Sequence, residues 1–453
     1  MALSLRRLFA FLTALLPAGG LWLFAPMAAA QDRAAAVFHS EPQSRNLRSF
    51  DYIWTTIRDK HWDPKLGGLD WQSVRDELRP RVEKTATPAE ARPILQEMIG
   101  RLHQSHFGVV PSDIYQDIQE PSGQIAPEDE GWTGLDVRVI GGKALVTSVD
   151  AGAPAYIRGV RPGWQLLKID HAPVESLLEK VNTAYWNSTM RGLLLARAVL
   201  SKLNGRVGTQ ARIEFLDGAG KIVETDIART RPSGIQSRFG YLPACYVRME
   251  SRRLGGNIGY IGFNFFLAPA AVMKKFEEAV KSCRECPGII IDLRGNPGGI
   301  GAMAIGMAGW FINQPNQQLG AMYTRDATLH FIVNPRLETY GGPLAILVDD
   351  CSASTSEVFA QGMRDLGRAR IFGIKTAGAA LPSVFERLPN GDGFQYAIAN
   401  YLSKGGKTLE GAGVVPDEEV KLSRAALLEG RDPVLEAALR WIQAQSTQNG
   451  SGR

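Results

Sequence analysis

The amino-acid sequence predicts a multi-domain α/β protein built from successive modules. Its 453 residues exceed the roughly 50–250 residues of a typical domain. Apolar residues first recur at helical spacing, then alternate as in strands after about residue 130, and from residue 257 strands and helices alternate. These observations divide the chain into an N-terminal helical module (45–118), a β-rich module (130–228), an α/β core (240–425), and a C-terminal helix with a disordered tail (431–453).

The N-terminus has the composition of an export signal. Arg6 and Arg7 precede an apolar stretch from Leu8 to Ala30, which ends in three alanines before Gln31. A basic start, an apolar middle and a small-residue end are typical of a secretory signal peptide. The sequence therefore predicts a signal peptide at residues 1–30 and a periplasmic or secreted protein. An uncleaved membrane anchor is the alternative, although prolines and glycines interrupt the stretch.

Charge and cysteine content limit the classes of partner and cofactor. The formal net charge is +5, and removal of residues 1–30, which carry two arginines and no acids, lowers it to +3. So small an excess does not indicate binding to nucleic acid or to an anionic surface. Cys283 and Cys286 have the spacing of a redox motif or half a zinc site, but no second pair accompanies them. We expect a structural disulfide or two idle thiols there, and neither a metal nor another cofactor.

Three helices are predicted in the N-terminal module. Apolar side chains recur at helical spacing over Phe50–Ile57 and again over Trp71–Leu78. The run Thr87–Glu90 has the pattern of a capping box and begins a third helix, which leads to Ser105 and His106. A histidine at a helix end is more often structural. The Ser105–His106 pair therefore becomes a catalytic candidate only if a nucleophile lies elsewhere in the chain.

The β-rich module follows a joint rich in Pro, Gly and acidic residues at 121–130. Leu135–Val139 alternates as a strand does, and Gly159–Ile169 contains a glycine turn and a strand. Over about residues 130–228 this part resembles a PDZ module of the bacterial protease type, which adds a peptide C-terminus to a sheet edge. The resemblance implies that the peptide carboxylate is bound by a loop formed by Trp132, Thr133, Gly134 and Leu135. A purely structural β module is the alternative.

The α/β core brings two loops to the ends of buried strands. Gly288–Leu293 is predicted to be a buried strand that leads into the glycine-rich run Arg294–Gly299. Leu344–Val348 is predicted to be a second buried strand, which leads into a small-residue corner, the serine corner (Cys351–Ser354). Ligand sites in α/β sheets favour this edge. No Gly-Lys-Ser/Thr sequence follows the glycine run, so nucleotide binding is not indicated.

Ser354 lies in the small-residue corner, just before a helix that includes Glu357. A serine at this position is close to the first free N–H groups of a helix, which stabilise developing negative charge. Ser354 and Glu357 also fit a capping box, so a purely structural role is the alternative. The choice between the two depends on residues elsewhere in the chain.

Three segments occur in an order that resembles a known enzyme family: Ile291–Gly299, Ser352–Glu357 and Gly373–Ala379. With the PDZ-like module, they resemble the tail-specific (carboxy-terminal processing) serine peptidases and the tricorn core, over roughly residues 45–425. The resemblance implies a ClpP/crotonase-like core in which Ser354 is the nucleophile. It also implies an oxyanion hole formed by the N–H groups of Thr355 and of either Gly298 or Gly299.

The sequence departs from the processing proteases at the catalytic lysine. Those enzymes carry this lysine where the chain has Ala379, and Lys375 matches a non-catalytic lysine of the family. The tricorn branch instead uses a histidine from an upstream Ser-His segment and a late glutamate, which Ser105-His106 and Glu410 match. The resemblance thus implies that His106 is the general base, with Ser105 and Glu410 as orienting groups. A solvated acid in a turn is the alternative for Glu410.

The sequence as a whole predicts an exported serine endopeptidase that cleaves proteins or peptides through an acyl-enzyme on Ser354. Its substrates would be engaged by their C-termini, and no membrane contact beyond the export signal is indicated. One alternative is a non-catalytic peptide- or lipid-binding protein on the same scaffold, which the missing lysine would favour. A second is an adaptor whose function resides in the PDZ-like module.

Overall fold

A computed structural model describes residues 40–111, 130–186, 188–238 and 245–450, with the backbone alone for 447–450. The signal peptide predicted at 1–30, nearly all of the joint at 121–130, the end of the helical module and the last residues of the predicted tail lie outside the described residues. We refer below to the N-terminal region (40–111), the middle region (130–238) and the core region (245–450). The described parts of all three belong to one compact unit.

The N-terminal region is helical, as its periodicity predicts. Side chains of the three residues that precede the helices, Ser40, Asp70 and Thr87, accept N–H groups of the first turns. The predicted apolar stripes face one another in a buried cluster. The elements are α1 (Glu41–Lys60), α2 (Trp71–Val82), α3 (Pro88–Gly100) and β1 (Gly108–Val110).

The middle region is an antiparallel sheet with helices on it. Strands β3, β4, β5, β8 and β9 pair in that order, so β3 is an edge strand. Helix α6 packs against β3 and contributes Leu195 and Val199 to the apolar cluster of this region. The elements are β2 (Glu130–Gly131), β3 (Leu135–Ile140), β4 (Lys143–Val149), α4 (Pro154–Ile157), β5 (Gln165–Ile169), β6 (Ala172–Pro173), α5 (Val174–Ala184), α6 (Arg191–Leu203), β7 (Gly205–Arg206), β8 (Gln210–Leu216), β9 (Ile222–Ala228) and β10 (Ile235–Ser237).

The core region alternates strands and helices around a mostly parallel sheet. Its strands are β11 (Cys245–Val247), β12 (Met249–Leu254), β13 (Ile258–Phe263), β14 (Ile289–Asp292), β15 (Gln317–Tyr323), β16 (Thr328–Val333), β17 (Leu344–Val348), β18 (Arg370–Gly373), β19 (Ser383–Arg387), β20 (Gly393–Ala397), β21 (Asn400–Ser403) and β22 (Glu418–Glu419). Its helices are α7 (Pro269–Ser282), α8 (Gly301–Ala308), α9 (Thr355–Asp365), α10 (Arg424–Leu428) and α11 (Pro433–Gly450).

The central sheet of the core has the order β12-β13-β14-β17-β18-β22, and all its pairings except β12–β13 are parallel. Strand β17 is buried along its whole length because helices cover both faces. Leu344, Ile346 and Val348 face α7, α8 and α9, whereas Ala345 and Leu347 face α11. The predicted mixed α/β, multi-domain fold is confirmed. The ends of β14 and β17 carry the glycine run and the small-residue corner, respectively.

The core region also completes the N-terminal region. Strand β1 pairs antiparallel with β20, and the β19–β20 hairpin places Leu388, Phe394 and Tyr396 in the apolar cluster of α1–α3. The helical module is therefore not closed by its own residues alone, since residues almost three hundred positions later finish its interior. The segment that ends in Ser105 and His106 is thereby held against the core.

Cys283 and Cys286 form a disulfide at the end of α7, and Cys245 and Cys351 are free thiols. The bridge follows a helix and closes a short loop, in agreement with the structural disulfide that was one of the two expectations. Among the described residues, no helix has both the length and the apolarity to cross a membrane.

Candidate active site

Ser354 occupies a strained position between β17 and α9. Its φ of 54° and ψ of −118° are unusual for a residue with a side chain. The conformation is held because the Ser354 N–H donates to the carbonyl of Ala379 at 2.8 Å and to Glu357 Oε2 at 3.0 Å. A sharp strand-to-helix turn of this kind is how a nucleophile is presented at the edge of a sheet.

Glu357 fastens this corner to the next loop. Its fully buried carboxylate also accepts hydrogen bonds from the Thr376 hydroxyl at 2.5 Å and from the N–H groups of Gly378 and Ala379 at 2.8 and 2.9 Å. Burial raises the pKa of Glu357 to about 7, while these donors oppose the rise. The capping role expected for Glu357 is thus present, but most of its partners lie about twenty residues downstream.

Ser105, His106 and Glu410 form one hydrogen-bonded chain. Ser105 Oγ lies 2.7 Å from His106 Nδ1 and 2.8 Å from Glu410 Oε2, and the Ser105 N–H donates to Glu410 Oε1 at 2.7 Å. An ionised carboxylate only accepts, so the Ser105 hydroxyl donates to Glu410 and accepts from His106 Nδ1–H. The other ring nitrogen, Nε2, then carries the lone pair that a general base requires.

Burial sets the protonation states of the side chains in this hydrogen-bonded series. Desolvation lowers the pKa of His106 to about 4, which keeps the ring neutral near pH 7. Burial also raises the pKa of Glu410, although the hydrogen bonds from Ser105 and from the Ala380 N–H act in the opposite direction. His106 has a φ of 61°, so the ring is presented from a constrained turn after α3.

The serine corner and the histidine chain meet at two adjacent residues. The Ala379 carbonyl accepts from the Ser354 N–H, and the Ala380 N–H donates to Glu410 Oε2 at 3.2 Å. Within the described residues, Ser354 Oγ and His106 make no direct hydrogen bond. Catalytic hydrogen bonds commonly tighten only once substrate is bound, so this geometry is compatible with a serine–histidine pair.

Two backbone N–H groups flank Ser354 without an acceptor among the described residues: those of Thr355, at the start of α9, and Gly299. Gly298 packs on the corner so closely that a Cβ there would lie 2.8 Å from Thr355 N, and its own N–H donates to Asn296 Oδ1 at 2.9 Å. Of the two glycines expected as oxyanion donors, Gly299 therefore has the available N–H. Its φ of 141° explains the glycine at this site.

Asn296 joins the glycine run to the serine corner, a role that the sequence analysis missed. Its buried side chain donates to the Phe263 carbonyl at 2.9 Å, and its own carbonyl accepts from the Ser356 hydroxyl at 2.9 Å and the Ala353 N–H at 3.1 Å. The only local signal was a polar side chain between glycines at a strand end. The two loops are consequently one rigid unit.

The position of the family's catalytic lysine is apolar in this chain. Ala379 is fully buried in a cluster with Ala353 and Cys351 of the corner and Leu193 and Ala196 of α6. A charged ammonium group buried in this apolar cluster would lose its hydration. Lys375 is exposed and is four residues away in the chain.

The middle region also contacts the corner through a partly buried ion pair. Arg138 of β3 donates to Asp349 Oδ2 at 2.9 Å and to Asp136 at 2.9 Å. Burial alone would raise the pKa of Asp349, but Arg138 and the N–H of Gly295 hold it below its usual value. Within the described residues, one group of side chains has the spacing to hold a metal ion: Asp349, Asp350 and Cys351. The Arg138 guanidinium already supplies the cation at Asp349.

The loop expected to bind a peptide carboxylate lies before β3. Thr133, Gly134 and Leu135 are buried, and Trp132 is partly exposed beneath the guanidinium of Arg248, 4.3 Å from its ring centre. Because β3 is an edge strand, the sheet beside this loop can accept an added strand.

Two segments of the chain match models of known protein families. Residues 257–420 match Peptidase family S41, and residues 44–100 match the Tricorn protease C1 domain. The chain is 25% identical over 414 residues to a carboxyl-terminal-processing protease of Synechocystis sp., covering 89% of this chain and 88% of that protein. It is 26% identical over 423 residues to the putative tricorn protease homolog 2 of Streptomyces coelicolor, covering 88% of this chain. The chain spans about a third of that relative's length, 32%.

Solved structures share the fold. The photosystem II D1 C-terminal processing protease superposes with a TM-score of 0.54 at 20% identity, covering 87% of this chain and 96% of that one. Mature CPAF superposes with a TM-score of 0.61 at 14% identity, covering 90% and 99%. The matched S41 segment contains the glycine run, Ser354 and Glu410, and the C1 segment contains the helices that lead to His106. The chain therefore contains a serine peptidase domain of family S41 at residues 257–420, preceded by a segment that matches the tricorn C1 domain at residues 44–100.

Proposed function

We propose that the protein is an exported endopeptidase that cleaves proteins or peptides, with Ser354 as nucleophile and His106 as general base. The observation that carries the proposal is the hydrogen-bonded chain of Glu410, Ser105 and His106, which leaves a neutral imidazole with a free Nε2 lone pair. This series of hydrogen bonds supplies a general base in place of the family's catalytic lysine, whose position is occupied by Ala379. It also weakens the non-catalytic alternative, because the lysine was the missing element that favoured it.

The reaction follows from the groups in place. His106 Nε2 accepts the proton of Ser354 Oγ as the oxygen attacks the scissile carbonyl, and the imidazolium then protonates the leaving amine. The Thr355 and Gly299 N–H groups bind the oxyanion, each contributing about 3 kcal/mol of transition-state stabilisation. Water, activated by the same histidine, hydrolyses the acyl-enzyme. Ser105 and Glu410 keep the imidazole in the required tautomer throughout.

The finer parts of the proposal concern location and substrate entry. The basic and apolar N-terminal sequence supports export. The edge strand β3, with the loop from Trp132 to Leu135 before it, supports capture of substrate C-termini by strand addition. The contact of α6 and Arg138 with the serine corner would bring a peptide bound there close to Ser354.

A fluorophosphonate probe and a fluorogenic peptide assay test the catalytic assignment. We expect labelling of the wild type, none of Ser354→Ala, and a loss of about 10³-fold or more in His106→Ala. Two variants serve as controls: His103→Ala changes an exposed histidine of the same turn, and Lys375→Ala removes the remaining lysine of the loop. Both should retain labelling.

The opposite pattern would be decisive. Labelling of His106→Ala at the wild-type rate would exclude His106 as the base, and loss of activity in Lys375→Ala would indicate a lysine mechanism. A wild type that neither labels nor hydrolyses, yet binds peptides, would support the non-catalytic alternative.

A further inference from the structure

Helix α6 of the middle region forms one wall beside Ser354. Gly192, in its first turn, is so close to the corner that a Cβ there would lie 2.2 Å from Asp350 Oδ2. Leu193 and Ala196 share a buried cluster with the residues on either side of the nucleophile's loop, and the Thr189 hydroxyl donates to the Gly378 carbonyl at 3.2 Å. The exposed side chains of the next turn of α6 therefore border the approach to the serine.

Arg197 is the cation on that turn. Its guanidinium lies 5.7 Å from the ring centre of Phe265, on the core side. The neighbouring Phe266 donates its N–H to the Gly298 carbonyl at 2.9 Å and accepts from Ile300 N–H at 2.8 Å. Arg197 thus extends from the α6 wall to the segment after β13 that is hydrogen-bonded to the glycine run.

Arg197 has no acidic partner within the described residues. The residue is exposed to solvent, yet enough protein surrounds the guanidinium that desolvation lowers its pKa. Among the residues that the structure describes, no carboxylate lies within ion-pair distance of Arg197. Two other crowded arginines of the site differ in this respect, since Arg138 pairs with Asp136 and Asp349, and Arg294 pairs with Asp292 and Asp432.

An arginine on this wall that has no acidic partner has all its guanidinium N–H groups available to an arriving anion. The planar guanidinium is suited to bind a carboxylate through two parallel hydrogen bonds. We infer that Arg197 binds a carboxylate of the substrate in the cleft beside Ser354, supplied either by the substrate's C-terminus or by an aspartate or glutamate near the scissile bond. This inference rests on the proposed function, because it takes the cleft at Ser354 to be the substrate path.

Matched peptides test it. One fluorogenic series ends in a free acid or a C-terminal amide, and a second, amidated series carries Glu or Gln at each position around the cleaved bond. We expect the wild type to prefer the carboxylate-bearing member of one series by about 10–100-fold in kcat/KM, mainly through KM. In Arg197→Gln that preference should disappear, while hydrolysis of the uncharged peptides and fluorophosphonate labelling stay at wild-type level. Arg197→Lys should retain part of the preference. Arg191→Gln, an exposed arginine of the same helix, is the control.

The series that shows the preference identifies the source of the carboxylate. Equal rates for acid and neutral peptides in the wild type, or an equal loss for both in Arg197→Gln, would overturn the inference. Peptide affinity measured on Ser354→Ala separates it from the proposed function. If no variant hydrolyses peptide, these binding data decide the inference alone. A preference for the carboxylate-bearing peptide that Arg197→Gln removes would support the inference, and the absence of that preference would refute it.

Discussion

The two halves of the candidate site are built in different ways. The hydrogen bonds that hold Ser354 come from the core region: from a buried glutamate, the backbone of the following loop and the glycine run tied in by Asn296. His106 arrives on a turn from the N-terminal region, and Ser105 and Glu410 are the side chains that fix its ring. The backbone position of the proposed nucleophile is thus set mainly by the core, with the middle region packed on its outer side. The base depends on how one region docks on another, so the two halves should fail differently when perturbed.

Glu410→Gln should separate the halves most strongly. The amide offers only one acceptor oxygen, so either the hydroxyl or the N–H of Ser105 loses its acceptor, and the neutral side chain no longer stabilises the imidazolium that forms on His106. We expect kcat to fall by about 10²–10⁴-fold with only a small change in the melting temperature, since Glu410 is partly exposed and water can accept from the group that loses its partner. Peptide hydrolysis and thermal unfolding measure the two effects.

The control for that experiment is Glu419→Gln, an exposed glutamate of the same region. It should change neither quantity. If Glu410→Gln kept full activity, Glu410 would be a structural acid of the turn and the orientation of His106 would have another source.

Glu357→Gln should damage the serine half through stability. An amide cannot accept all four donors that the carboxylate accepts, so at least one buried N–H loses its partner. We expect the free energy of unfolding to fall by about 2–4 kcal/mol, measured by denaturant titration at pH 8. Activity should fall in parallel, unlike the effect of Glu410→Gln.

Glu436→Gln, at a partly exposed position of α11, provides the matched control and should change the stability by less than about 0.5 kcal/mol. A Glu357→Gln protein as stable as the wild type would show that the Glu357 carboxyl is already protonated in the folded state.

The pH dependence of activity gives the smallest effect and concerns the histidine half. Because burial lowers the pKa of His106 to about 4, the base stays neutral as the pH falls from 7 to 5. Glu357, whose pKa burial raises to about 7, takes up a proton over the same range, so the measurement uses Glu357→Gln, in which kcat/KM should decline with a midpoint near 4 once unfolding has been excluded by circular dichroism. A midpoint near 6.5 would mean that His106 is solvated during turnover. The residual activity of Glu410→Gln should keep the low midpoint, because Glu410 contacts the ring only through Ser105.

Local patterns in the sequence predicted the local half of this architecture. The stripes of α1–α3, the buried strands β14 and β17 and the serine at the start of α9 all follow from periodicity and composition within a few residues. The family resemblance added His106, Ser105 and Glu410, but not their order of contact. That order depends on hydrogen bonds between residues 305 positions apart, which no local pattern encodes.

The partners of Glu357 also could not be predicted from local patterns alone. Its spacing from Ser354 predicted a helix cap correctly, yet its main partners, from Thr376 to Ala379, follow from the path of a later loop. The Arg138–Asp349 pair was missed for a similar reason, since an arginine on an alternating strand usually indicates a solvated face. The long-range contacts decide which of these polar side chains belong to the site.

The β1–β20 pairing has a consequence for the order in which the protein is made. Residues 383–397 complete the interior of the first helices, and Glu410 follows them. A growing chain in which His106 has already been synthesised must therefore be extended by about three hundred residues before Glu410 is present to orient it. If His106 is the base, as proposed, an unfinished chain lacks the assembled base and can cleave other proteins only after nearly all of the protein has been synthesised.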